Sequence, residues 1–226
     1  MSVLQAAWLI AKKDLLVETR SRELVYTTLF FAVSTVMVFA FAFVRQGQPE
    51  PTASAGILWV TLTFSGTLAL GRAFERERQA ETLRGLLLAP VERASIYLGK
   101  LLALLILMAL VEIVLVPIVA LFFHAPVGRA PWLLAGLLAA GTIGFAGVGT
   151  LFAAMLVRAQ SRDVLLPVVL YPMTVPVIVS GVQGTGAIFA AEPNYALAQT
   201  CLALLVFFDA VFVTLALWTF APVMGE

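Results

Sequence analysis

The stretch LVYTTLFFAVSTVMVFAFAFV, residues 24–44, is 21 residues long and carries no charge; Arg22-Glu23 precede it and Arg45 follows it. A helix rises 1.5 Å per residue, so about 20 apolar residues cross a hydrocarbon core roughly 30 Å thick. The stretch therefore reads as a membrane-spanning helix, and the same reading repeats along the chain. Residues 51–71, 130–157 and 164–191 are uncharged. Residues 101–123 are interrupted only by Glu112, and residues 193–225 only by Asp209. None of these runs alternates in polarity as the strand of a membrane β-barrel does. Backbone polar groups in lipid must be satisfied within the segment, which leaves helices. The expectation is an all-α polytopic membrane protein forming one domain over residues 1–226. It has an interfacial helix at 1–23 and six spans at about 24–44, 54–72, 101–123, 132–157, 164–184 and 197–220.

Composition agrees. Of 226 residues, 62% are hydrophobic and 12% charged, with mean hydropathy +1.02. A soluble domain has roughly 45–50% apolar and about 25% charged residues, so the surplus must face lipid. A net charge of +1 gives no reason to expect a nucleic-acid partner. The single cysteine, Cys201, allows neither an internal disulfide nor a paired-cysteine metal motif. The first 23 residues carry Lys12, Lys13, Asp14, Glu18, Arg20, Arg22 and Glu23, too much charge for the apolar core of a cleavable signal.

Basic residues orient the spans. Lys12, Lys13, Arg20 and Arg22 precede the first. Arg72, Arg76, Arg78, Arg84, Arg93 and Lys100 lie between the second and third. Arg158 and Arg162 lie between the fourth and fifth. Twelve of the 14 basic residues thus fall on one side, with Arg45 and Arg129 opposite. Both termini are expected in the cytoplasm, with short outer loops near 45–50, 124–131 and 185–195.

Residues 3–22 read as an amphipathic helix on the inner surface. Val3, Leu4, Ala7, Trp8, Ala11 and Leu15 form the apolar stripe, and Lys12, Lys13, Glu18 and Arg20 supply charge. It is either a juxtamembrane anchor or also a contact for a cytoplasmic partner. Residues 72–100, RAFERERQAETLRGLLLAPVERASIYLGK, form the longest charged connection. Glu75, Arg76, Glu77, Arg78, Glu81 and Arg84 alternate in sign, and Glu77 and Glu81 share a helical face. Pro90 disfavours helix at Ala89, so a helix from about 73 to 88 should break there and restart near Val91. Read physically, the segment is either a solvated loop or a docking surface.

Inside the spans, Gly136, Gly141, Gly144, Gly147 and Gly149 mark the fourth as a close-packing helix. They do not form a nucleotide loop. That motif ends in Gly-Lys-Ser/Thr, whereas Gly99-Lys100 is followed by Leu101. Pro167, Pro172 and Pro176 should kink or break the fifth span, making it either a moving part or pathway wall, or a static kink. Glu112 and Asp209 are the two intramembrane acids. Such residues are rare and are functional candidates, either protonated and hydrogen-bonded or facing a polar cavity. Glu112 sits mid-span, and Asp209 would lie nearer an interface if its span used only part of its run. His124 reads as an interfacial residue at the outer end of the third span. Trp59, Trp132 and Trp218 read as interfacial belt residues. No cluster has metal-ligand spacing, and no nucleophile–histidine constellation can be assembled. No catalytic or metal residues are assigned.

The whole chain resembles the CcmB family, the B subunit of the haem exporter in cytochrome c maturation. The resemblance rests on KKDLLVETRSRE before the first span, GILWVTLTFSG opening the second and FERERQAETLRGLLLAPVERASIYLGKLL after it. The most distinctive piece is LLPVVLYPMTVPVIVSGVQG in the fifth span. The connection at 72–100 is also similar to that of ABC-2 exporter permeases, with Glu81 standing where a glycine is usual before Thr82-Leu83. The resemblance implies an ABC-transporter membrane domain in the bacterial inner membrane that is not itself an enzyme and binds no cofactor. A separate CcmA-like ATPase would hold the ATP and dock on Glu75, Arg76, Glu77, Arg78, Glu81, Thr82, Arg84, Pro90 and Arg93. It further implies CcmC-like and CcmD-like membrane partners, a permease homodimer, and a complex that exports haem or releases a haem-loaded chaperone. The alternative is an ABC-2 permease for a drug, lipid or polysaccharide.

Overall fold

The structure is a computed structural model that describes residues 2–45, 48–49, 51–79, 92–156 and 161–223. Seven helices run through these residues. They are α1 (Val3–Ser21), α2 (Glu23–Phe43), α3 (Pro51–Gln79), α4 (Arg93–Phe123), α5 (Pro131–Met155), α6 (Arg162–Phe189) and α7 (Tyr195–Val223). Helices α2 to α7 are the six long and apolar enough to cross a membrane, as the hydropathy pattern requires. A two-residue antiparallel ladder, Val44–Arg45 against Gln48–Pro49, closes the α2–α3 turn.

Ser2 starts α1 with a capping box: its hydroxyl accepts from Gln5 N at 3.3 Å, and the Gln5 side chain accepts from Ser2 N. The helix ends at Arg22, whose φ of 54° puts it in the left-handed region and turns the chain at once into α2. Glu18, buried near the end of α1, accepts from Val25 N at 2.8 Å and so caps the first turn of α2.

The bundle is organised around α5, which packs against α3, α4, α6 and α7. Of its apolar window 78% is buried, against 22% for α7. Its glycines explain this position. A side chain at Gly141 would overlap Trp59, at Gly149 Leu70, and at Gly144 Phe208, Val177 and Asp209. Neighbouring helices thus lie against bare backbone, the arrangement expected from the spacing of small residues.

Several boundaries and surroundings differ from the sequence reading. Helix α3 does not: it continues past its apolar run to Gln79, as the helix expected from about 73 requires, because Ala73 to Gln79 contains no helix breaker and is rich in good helix formers. The fifth span runs to Phe189 rather than stopping near 184. The expected break at Ala89 lies outside the described residues. The fifth span is not broken, and its inner face lines the bundle, with Leu170, Thr174 and Val177 buried. Pro167, Pro172 and Pro176 sit within one continuous α6, and Pro172 and Pro176 are exposed on its outer face. Each proline removes a single donor, and the flanking turns keep the helix intact. Trp59 is not a belt residue: it is 1% exposed, deep in the core. Trp132 and Trp218, 89% and 78% exposed, do fit that role. On α1 the apolar stripe is split. Ala7 and Ala11 are buried, whereas Leu4 and Trp8 point outward at 72% and 54% exposure.

Candidate functional site

At the middle of the bundle are the two acids. Glu112 lies halfway along the apolar stretch of α4 and accepts a hydrogen bond from the Thr142 hydroxyl of α5. Asp209 is fourteen residues from either end of α7, so it is a mid-span residue and not an interfacial one. It packs at Gly144, and its Oδ1 is buried without a hydrogen-bond partner. Thr142 and Gly144 are two residues apart on α5, about 200° around the helix, so the acids flank α5 on roughly opposite sides. Among the described residues neither acid forms a salt bridge.

Two further polar contacts tie the spans together. Trp59 on α3 donates its indole N–H to the Thr185 hydroxyl on α6 at 2.9 Å, with its ring pressed between Gly141 and Gly181. Tyr97 on α4 donates to the carbonyl of Gly147 at 3.0 Å, across the face where that glycine has no side chain. Both groups would be costly to leave unpaired in a membrane interior. A weaker pair, Thr67 to Tyr171 at 3.3 Å, joins α3 and α6. Sequence reading missed all three. The signal that was there is an aromatic residue with a polar tip, Trp59 and Tyr171 inside apolar runs and Tyr97 just before one.

At the end of the bundle that carries most basic residues, α1 is clamped to the start of α4, the most extensive packing contact α1 makes. Gly99 leaves no room for a side chain: an added Cβ would stand 2.7 Å from Ile10 Cβ and 2.8 Å from the carbonyl oxygen of Ala7. One residue on, the buried Lys100 meets Asp14 at 2.5 Å, and Asp14 also pairs with Lys13 at 3.0 Å. This clamp sits directly after the charged connection.

The residues expected to dock a partner fall on that connection. Glu75, Arg76, Glu77 and Arg78 lie on the helical extension of α3, and Arg93 is the first residue of α4, half-buried. Glu81, Thr82, Arg84 and Pro90 lie outside the described residues. Arg93 thus opens the helix that is clamped to α1. His124 is exposed, caps α4 in the left-handed region at φ 52°, and is not grouped with other ligands. Among the described residues no cluster of three His, Cys, Asp or Glu could hold a metal. On the opposite end, Arg129 donates to the carbonyl of Ala190 at 2.5 Å, tying together the loops after α4 and α6.

Comparison with known proteins places this architecture. A family model described as "CcmB protein" matches residues 5–224. The chain is 29% identical over 155 residues to a protein of Rhodobacter capsulatus named "Heme exporter protein B", covering 69% of this chain and 71% of that one. It is 28% identical over 171 residues to a protein of the same name from Paracoccus denitrificans, covering 76% and 78%.

Proposed function

This chain belongs to the CcmB family, and on that premise we propose that it is the membrane subunit of a haem exporter complex serving c-type cytochrome biogenesis. Its spans are moved by ATP hydrolysed on a separate subunit. The observation that carries this reading is the clamp between α1 and the first turns of α4, immediately following the charged connection. A CcmA-like ATPase bound to Glu75, Arg76, Glu77, Arg78, Glu81, Thr82, Arg84, Pro90 and Arg93 would pull on both ends of that connection. Its motion would pass to α4 and α1 as one body, because Gly99 and Lys100–Asp14 leave little freedom between them. Coupling of this kind requires that the ATPase contact the two states of the spans differently.

In this reading the chain performs no catalysis and holds no cofactor. ATP belongs to the partner, and haem, or the release of a haem-loaded chaperone, is handled by the complex. Glu112 and Asp209 are the polar groups that lie where the spans must move past one another. The outer face of α6 fits a further membrane subunit, CcmC-like, CcmD-like or a second copy. Pro172 and Pro176 remove the donors that would meet the carbonyls of Val168 and Pro172, and freed carbonyls facing lipid need protein cover. The complex sits in the bacterial inner membrane with both termini cytoplasmic, as the distribution of basic residues favours.

The test is genetic and spectroscopic. Deleting the chain from its host should abolish haem-stained c-type cytochromes while apo-cytochrome export continues. Normal levels of holo-cytochrome in the deletion strain would refute the assignment.

A further inference from the structure

A groove of about 920 Å³ lies between the second half of α1, the start of α2 and the outer face of α4. Its two ends differ in chemistry. At the level of the basic connections its rim carries Lys13, Asp14, Glu18, Arg22 and Lys100. From there the wall is apolar, running along α4 through Ala103, Leu107 and Leu110 to Ile113. From Lys100 to Ile113 is about 20 Å along the helix axis, somewhat more than half the roughly 30 Å hydrocarbon core. The groove thus has one charged end at the membrane surface and an apolar channel the depth of one leaflet. It opens sideways: Ile113 is 70% exposed, Tyr26 60%, Ile106 41% and Leu110 40%, all on spanning helices.

The charges at the rim are not balanced. Asp14 is taken up by Lys13 and Lys100, and Glu18 accepts from the backbone of α2. Among the described residues Arg22 has no ion-pair partner. It stands at the amino end of α2, where the helix dipole adds positive potential. A groove walled by hydrocarbon, open to the bilayer and headed by an unmatched guanidinium is complementary to an anionic phospholipid. We propose that this groove holds one acyl chain of an anionic phospholipid from the leaflet on the side of the basic connections, with the lipid phosphate at Arg22. Haem is a poorer occupant, because no His, Cys or Met lines the groove to ligate iron. The bound lipid would wedge α1 against α4 at the clamp, making that junction sensitive to membrane composition.

The test uses the full chain in phosphatidylcholine vesicles doped with phosphatidylglycerol carrying a diazirine in its acyl chain. After irradiation, adducts should concentrate on residues 103–113 of α4, at least five-fold over the exposed face of α7 at Leu204 and Phe207. Filling the groove with Ala103→Phe and Ala109→Phe should reduce them several-fold. Arg22→Gln should abolish the preference for the phosphatidylglycerol probe over a phosphatidylcholine probe of the same chain. Equal labelling of α7, or unchanged labelling in the filled variant, would overturn the proposal. So would displacement of the probe by equimolar haemin, which would make the groove a haem site. If the filled variant does not fold, Arg22→Gln decides alone, and a retained headgroup preference rejects the proposal.

Discussion

Trp59 concentrates in one side chain what holds these spans together. Its ring occupies the space that Gly141 and Gly181 leave open, and its N–H reaches Thr185, so α3, α5 and α6 are fixed at one point. Trp59→Phe should lose the hydrogen bond, at a cost of about 1 kcal/mol, and also the ring atoms that fill the gaps at Gly141 and Gly181. Gly141→Leu should drive the ring from its slot and cost about 1–3 kcal/mol or more. Both are measured as a fall in the thermal unfolding midpoint in detergent; a Gly141→Leu protein as stable as the parent would contradict the packing. The sequence makes the glycines legible as packing residues but not the residue they accommodate. A tryptophan in an apolar run has the same composition signature at an interface as in a core. Glu112 was legible as an exception to its span, whereas its partner Thr142 was not, because a threonine in a span is ordinary. Asp209 was legible only as a charge, and its central depth emerged from where α7 begins and ends.

At the scale of the element, α1 and α6 show the limits of pattern reading. An amphipathic stripe says that one side of α1 is apolar, but not which apolar residues meet protein and which meet lipid. The small residues Ala7 and Ala11 go to the protein side because Gly99 permits backbone contact there, and the large Leu4 and Trp8 are left facing outward. Gly99→Leu should lift α1 from α4 and loosen the helix, so that trypsin cuts faster at the already exposed Lys12 and Lys13, while the six spans stay protected; an unchanged digestion rate would argue against the clamp. In α6 the prolines were legible in the sequence, and of the consequences they allow a break is the one that does not occur. A proline deletes one donor and strains one turn, and helix on both sides, packed against α3, α5 and α7, carries the element through.

For the whole molecule, the count and order of spans follow from hydropathy alone, because no other structure satisfies 20 or so apolar residues in lipid. The arrangement of the spans does not follow from it, since every span is apolar all round and period gives no facing direction. The family resemblance supplies the biological setting, and the clamp after the charged connection gives that setting a mechanical reading. The orientation is open to direct labelling. A cysteine at Gln48 should react with an impermeant maleimide from the periplasm, and one at Gln79 only after the inner face is exposed; the reverse pattern would invert the topology. The central claim is that this chain borrows its energy through the connection between α3 and α4. The most direct measurement is co-purification of the chain from native membranes in mild detergent, for the parent and for Glu77→Lys/Glu81→Lys. The account predicts that the parent brings down an ATPase subunit and that the double variant, inserted at equal levels, loses it. An ATPase retained in full by the double variant, or absent from the parent, would contradict the account.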